Sequence, residues 1–155
     1  MFAHLNSIGL YGMDAFEVNV EADISNGLPG FDVVGLPDTA VKESRDRVRS
    51  ALKNCGFTFP MSRITVNLAP ADKRKEGPIY DLPILLAILT ASGQLSCDLF
   101  DCAMIGELSL SGEIHGIRGV LPMAIHAKEL GYHRLFVPAA NAAEGAVVEG
   151  LEVYP

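Results

Sequence analysis

Four cations, Lys42, Arg45, Arg49 and Lys53, follow one another at spacings of three, four and four residues. On a helix that rhythm puts them in one stripe about 60° wide, beside whatever face the helix buries. Lysine and arginine so arrayed suit phosphate or carboxylate. The segment 38–53 holds five positive and three negative charges, while the chain as a whole carries −7. A second basic group, Lys73-Arg74-Lys75, lies between Asp72 and Glu76. Both are candidate contacts for DNA or for an acidic protein surface. The competing account is a solvated helix face stitched by i,i+4 pairs, Lys42 with Asp46 and Glu43 with Arg47. For a single cation the solvated face is the better account; for the stripe as a whole both stand.

Other reactive side chains are harder to assemble into chemistry. His4, His115, His126 and His133 show no two-histidine helical spacing of the zinc-protease kind. Cys55, Cys97 and Cys102 are odd in number and lack metal-ligand spacing, which reads as reduced thiols of a cytoplasmic protein. Glu107 and Glu113 have no nameable acid–base partner, and Ser109 and Ser111 read as strand-end and turn residues. No Gly-x-x-x-x-Gly-Lys-Ser/Thr phosphate loop occurs. The net charge argues against a surface that binds nucleic acid everywhere, though not against a local patch. No catalytic residue, metal site or cofactor site is therefore assigned.

These groups need elements to hold them. Hydrophobic content of 49% with 20% charged residues is globular, and 155 residues predict one domain over 1–155. Alternation predicts strands at 16–21 and 31–34, joined as a hairpin through Asn26-Gly27-Leu28-Pro29-Gly30. Asp38 should cap a helix over 39–54 whose core face is Val41, Ser44, Val48, Ala51, Leu52 and Cys55. A strand at 64–68 leads through a polar loop, 69–78, to an apolar helix over 82–92 capped by Asp81. That apolar run is about half a membrane span and reads as a core helix. Further strands fall at 104–110, 134–137 and 151–154. A helix runs from Gly119 to Gly131, and Asn141 should cap a last one over 142–148. The sum is an α/β domain with a mixed sheet.

The order Gly77-Pro78, apolar helix, strand, Ser111-Gly112-Glu113, helix resembles the proteolytic domain of the Lon family. There a nucleophilic serine follows the Gly-Pro, and a lysine base lies about ten residues after the glycine matching Gly112. Here the two positions hold Ile79 and Met123, which neither attack a carbonyl nor accept a proton. No displaced dyad replaces them. Ser92 sits about 15–20 Å along its helix, and Lys128 points roughly 140° away from Met123.

Longer words carry a closer resemblance. Asn26-Gly27-Leu28-Pro29-Gly30, Val34-Gly35-Leu36-Pro37-Asp38, Ala40-Val41-Lys42-Glu43-Ser44-Arg45, Arg63-Ile64-Thr65-Val66-Asn67-Leu68-Ala69-Pro70-Ala71-Asp72, Lys75-Glu76-Gly77, Asp81-Leu82-Pro83 and Gly106-Glu107-Leu108 occur in that order. Together they are similar to the N-terminal domain of the magnesium-chelatase-like AAA+ ATPase family of YifB/ComM type. Pro78-Ile79 departs from the family, which shows a glycine and a basic residue there. The resemblance implies a fold of the ribosomal protein S5 domain 2 type, as in Lon, and an accessory, non-catalytic role. It implies an AAA+ module downstream that would bind ATP and Mg, with no cofactor in the present 155 residues. It further implies a homo-hexamer at full length and ATP-driven DNA remodelling, the branch migration of natural transformation. Partners would be the chain's own AAA+ module, neighbouring protomers and DNA, with no membrane. The alternatives are a serine peptidase with an unrecognised nucleophile and a purely structural oligomerisation domain.

Overall fold

A computed structural model describes residues 1–155. Strands β1 (Phe2–Tyr11), β2 (Asp14–Ser25), β3 (Gly30–Val34), β4 (Arg63–Ala69), β5 (Cys102–Met104), β8 (Arg134–Phe136) and β9 (Glu152–Tyr154) form one sheet, in the order β3-β4-β2-β1-β5-β8-β9. β6 (Glu107–Leu108) and β7 (Ile114–His115) make a separate small hairpin. The helices are α1 (Thr39–Lys42), α2 (Ser44–Asn54), α3 (Asp81–Ala91), α4 (Val120–Glu129) and α5 (Ala142–Gly145). The sheet is mixed: β1–β2 and β2–β4 are antiparallel, while β3–β4, β1–β5, β5–β8 and β8–β9 are parallel. The mixed α/β architecture expected from the sequence is therefore present.

The hairpin expected between the second and third strands is not. β3 pairs in parallel with β4, and β2 pairs with β1 and β4. The hairpin partner of β2 is β1, a strand the alternation pattern does not reveal. Its centre is buried on both faces, so Asn6, Ser7 and Ile8 are consecutively inaccessible. The polar pair is satisfied there: the Asn6 amide donates to the Phe100 and Cys102 carbonyls (3.3 Å each), and the Ser7 hydroxyl to the Met104 carbonyl (2.8 Å).

Strand register divides the core. Ala3, Leu5, Val18, Val20 and Ala22 turn one way and meet α2 and α3; Ile8 turns the other way and joins Ala103, Met123, Ala124 and Leu135 under α4. Helix α3, apolar nearly all round as its sequence predicts, buries eight of its eleven residues. The expected single helix over 39–54 is interrupted at Glu43, where ψ opens to −14° and α1 passes into α2. Asp38 caps α1 as expected, accepting from the Val41 N–H at 2.8 Å. Its second carboxylate oxygen accepts from the Gly77 N–H at 3.1 Å, which ties the polar loop to the helix start.

Two expected caps do other work. Asn141 grips both the Ile117 N–H (2.9 Å) and its carbonyl (2.8 Å), making no cap bond to α5. Asp81 is the first residue of α3 and makes no cap bond to that helix. On α1 and α2, Val41, Ser44, Val48, Ala51 and Leu52 face inward as expected from their spacing, but Cys55 is exposed past the last turn. No helix is long and apolar enough to cross a membrane.

Candidate functional site

Ile79 and Met123, the two positions singled out by the sequence resemblance, lie in close-packed hydrocarbon. Met123 is fully buried within the α4 cluster, and Ile79 packs against that cluster and the α3 cluster alike. Ile79 also holds the chain by backbone: its carbonyl accepts from the Gly106 N–H at 2.9 Å. Ser109 and Ser111, in the turn between β6 and β7, bond to each other at 2.8 Å, and the Glu113 N–H donates to Ser109 at 3.0 Å. They are turn residues, as read. No group of three or more histidine, cysteine, aspartate or glutamate side chains is placed to hold a metal ion.

Asp81 is a centre that sequence reading misassigned. Its carboxylate is fully buried and accepts four hydrogen bonds: from the Ser44 hydroxyl (2.5 Å), from the Arg47 guanidinium (2.6 and 3.0 Å) and from the Leu108 N–H (3.0 Å). The hydrogen bond to Asp81 outweighs burial and holds Arg47 above the ordinary arginine value. Arg47 also donates to the Ala40 carbonyl at 2.8 Å. One buried ion pair thus fastens α1, α2, α3 and the β6–β7 hairpin together. An aspartate at the start of an otherwise apolar helix resembles a cap, and only tertiary contact distinguishes the two.

The basic stripe is exposed as expected, but its members divide. Arg45 reaches back to the Lys42 carbonyl (3.2 Å) and across to the Phe31 carbonyl (3.4 Å), covering β3 on the open edge of the sheet. Lys42, Arg49 and Lys53 are exposed and take part in no ion pair. The expected Lys42–Asp46 pair is absent, whereas Glu43–Arg47 is present at 3.7 Å. Three free cations therefore lie along one side of α1 and α2 in an acidic protein. At the end of α2, Arg49 and Lys53 border a groove of about 320 Å³ that Pro29, Gly30, Phe59, Pro60, Met61 and Ser62 also line.

The second basic group divides more sharply. Lys73 and Arg74 are exposed: the Lys73 ammonium stands 5.0 Å from the Phe16 ring centroid, and Arg74 pairs with Glu76 at 3.5 Å. Lys75 is fully buried, which removes it from the candidate contacts. Its backbone pairs with the segment after β3, through Lys75 N–H to Leu36 (3.0 Å) and Asp38 N–H to Lys75 (2.9 Å). Its ammonium turns inward to donate to the Pro70 carbonyl. Burial holds that ammonium below the ordinary lysine value, with Lys73 acting in the same direction and Asp72 against it. What turns Lys75 inward is the pairing of its backbone with the Leu36–Asp38 segment, a tertiary contact that the local pattern Lys73-Arg74-Lys75 does not display. So placed, Lys75 presents nothing to a phosphate in solution.

The histidines are dispersed. His126 meets Glu129 at 3.3 Å and His133 lies 4.0 Å from Asp101, both at the surface. Cys102 is buried, and burial pushes its thiol up to about 11, so it stays protonated.

Residues 20–141 match the family model described as subunit ChlI of Mg-chelatase. The chain is 48% identical over 138 residues to the uncharacterized protein YifB of Salmonella typhimurium, covering 88% of this chain and 27% of that protein. It is 47% identical over 144 residues to competence protein ComM of Haemophilus influenzae, with 92% and 28% covered. Lon protease of Mycolicibacterium smegmatis is 26% identical over 160 residues, covering 96% of this chain and 20% of the protease. The chain thus spans less than a third of the length of the curated relatives it matches.

Proposed function

The chain belongs to the family of the Mg-chelatase subunit ChlI, and on that premise we propose that it is a non-catalytic accessory domain of a magnesium-chelatase-like AAA+ ATPase of YifB/ComM type. In this reading residues 1–155 form one Lon-like domain of the S5-domain-2 type. ATP and Mg belong to the ATPase module of the full-length protein, and the domain serves ATP-driven DNA remodelling in a hexameric ring in the cytoplasm. Its own contribution is contact with DNA phosphate. The observation that carries this is the row of unpaired cations, Lys42, Arg49 and Lys53, on one side of an otherwise acidic molecule. Contacts of that kind are sequence-independent and weaken with salt. Lys73 and Arg74, on the loop tied to the start of α1, would extend the same contact.

Replacement of Lys42, Arg45, Arg49 and Lys53 by Glu in the full-length protein tests the reading. DNA affinity should fall and its salt dependence flatten, while ATP turnover without DNA stays as it was. Unchanged DNA binding in a folded variant removes it. Retained DNA binding with loss of the hexamer would instead favour the assembly role.

A further inference from the structure

The end of α2 differs from the rest of the ridge because it has walls. Arg49 and Lys53 stand one helical turn apart, about 6 Å along the axis, above the groove that Pro29, Phe59, Met61 and Ser62 complete. Its volume of about 320 Å³ lies at the lower end of the range for small-ligand pockets. That suits one nucleotide and not a duplex.

What the groove offers is unusual for a patch of surface cations. The Arg49 guanidinium carbon lies 5.1 Å from the centroid of the Phe59 ring. Phe59 is itself only 9% exposed and meets Phe31 at 5.8 Å, so its ring is a floor and no base can reach it. An arginine seated on an aromatic ring is held as a plane, with less freedom to lose when something settles on its outer side. Met61, which lines the same groove, is 78% exposed, a polarisable side chain open to solvent. Lys53 supplies an unpaired ammonium one turn away, and the neighbouring carboxylate Asp32 is already committed to Arg63 at 2.5 Å.

We infer that this groove binds single-stranded nucleic acid, one unstacked base lying between the Arg49 guanidinium and Met61 while the adjoining phosphate pairs with Lys53. The inference rests on the DNA-contact reading above and adds what that reading does not contain: a stacking site, and hence a preference for strands whose bases are free. Stacking on guanidinium planes needs an extruded or unpaired base. An acidic peptide would use the charges without needing the plane. That difference makes the nucleic acid the better fit to an arginine fixed on a ring.

The test compares a fluorescein-labelled oligodeoxythymidine with a duplex of equal length by anisotropy, using the full-length protein without nucleotide. Arg49→Lys keeps the charge and removes the plane. It should weaken single-strand binding about tenfold, the scale of one lost stacking contact, and leave duplex binding unaltered. Met61→Ala, at an exposed position where folding is not at stake, should weaken the single strand in the same selective way. The pair Arg49→Glu with Lys53→Glu should weaken both ligands. If Arg49→Lys binds the single strand as the wild type does while the double Glu variant fails on both, the stacking site is wrong and phosphate contact survives. If no variant changes either ligand, both readings fall. Displacement of the oligonucleotide by polyglutamate at equal charge concentration would overturn the inference in favour of an acidic protein partner.

Discussion

Asp81 and Arg47, 34 residues apart, meet at 2.6 Å in the interior, where the carboxylate has no exposure at all and its remaining lone pairs are filled by Ser44 and Leu108. A buried ion pair with this completeness is costly to interrupt, because removing one partner leaves the other charged and desolvated.

Asp81→Asn keeps the shape and removes the charge, leaving Arg47 only the exposed Glu43 at 3.7 Å. Unfolding in urea should show a loss of about 3–5 kcal/mol. Replacing both partners, Asp81→Leu with Arg47→Met, should recover most of it. A single-variant loss below about 1 kcal/mol would mean the pair is not the fastening that its geometry describes.

Tyr80 is the reverse case. Its hydroxyl is buried with no hydrogen-bond partner, and burial raises it far above the ordinary tyrosine value. It occupies space left by Gly9: a Cβ there would come within 2.3 Å of the hydroxyl oxygen and 2.7 Å of the Phe16 ring. Tyr80→Phe should therefore stabilise the protein by about 1 kcal/mol, since an unsatisfied group is removed without a bond being lost. Gly9→Ala should destabilise by about 1–3 kcal/mol through overpacking. It should cost less in the Tyr80→Phe background, because the two changes share a contact. Destabilisation by Tyr80→Phe would show that the hydroxyl has a partner.

What could be read from the sequence was what local pattern controls. The helical stretch 39–54 apart from its break at Glu43, the cap at Asp38 and the exposed cations of α1 and α2 followed from spacing, and β2 from strict alternation. The failures share a cause. β1 carries Asn6 and Ser7 in a strand buried on both faces, so alternation is lost where two core clusters meet. Asp81 and Lys75 are charges in the interior, justified only by partners that approach from distant parts of the chain. Phe59 and Met61 lie in irregular chain with no local pattern, and only the fold brings them to the groove that Arg49 borders.

Lys75 should impress a pH signature on stability. Its folded-state value lies below the ordinary 10.5 because burial disfavours the ammonium. Between that lowered value and 10.5 the unfolded chain binds more protons than the folded one, so stability rises with pH across this window; below it the full penalty applies. Asp72 acts against burial on the same amine and reduces the effect, while Lys73 adds to it. Urea midpoints for wild type and Lys75→Met, followed from neutral pH towards 10.5, should converge or cross as the wild type gains. Parallel curves would show that the amine is solvated.

The apolar packing of Ile79 and Met123 gives the last expectation. A serine-reactive fluorophosphonate should leave the folded wild type unlabelled, because the position after Pro78 is isoleucine and the hydroxyls of Ser109 and Ser111 are engaged in their own turn. Installing Ile79→Ser with Met123→Lys should not create a peptidase. Met123 is fully buried among apolar side chains, so a lysine there would be desolvated, at a cost of several kcal/mol for an unpaired charge. Ile79→Ser, at a half-buried site, should cost less, which urea unfolding of the two single variants would show. Wild-type labelling that disappears on replacing one serine would identify a nucleophile and end the accessory reading. Equal tolerance of both substitutions would mean that Met123 does not hold the place of a base inside a sealed core.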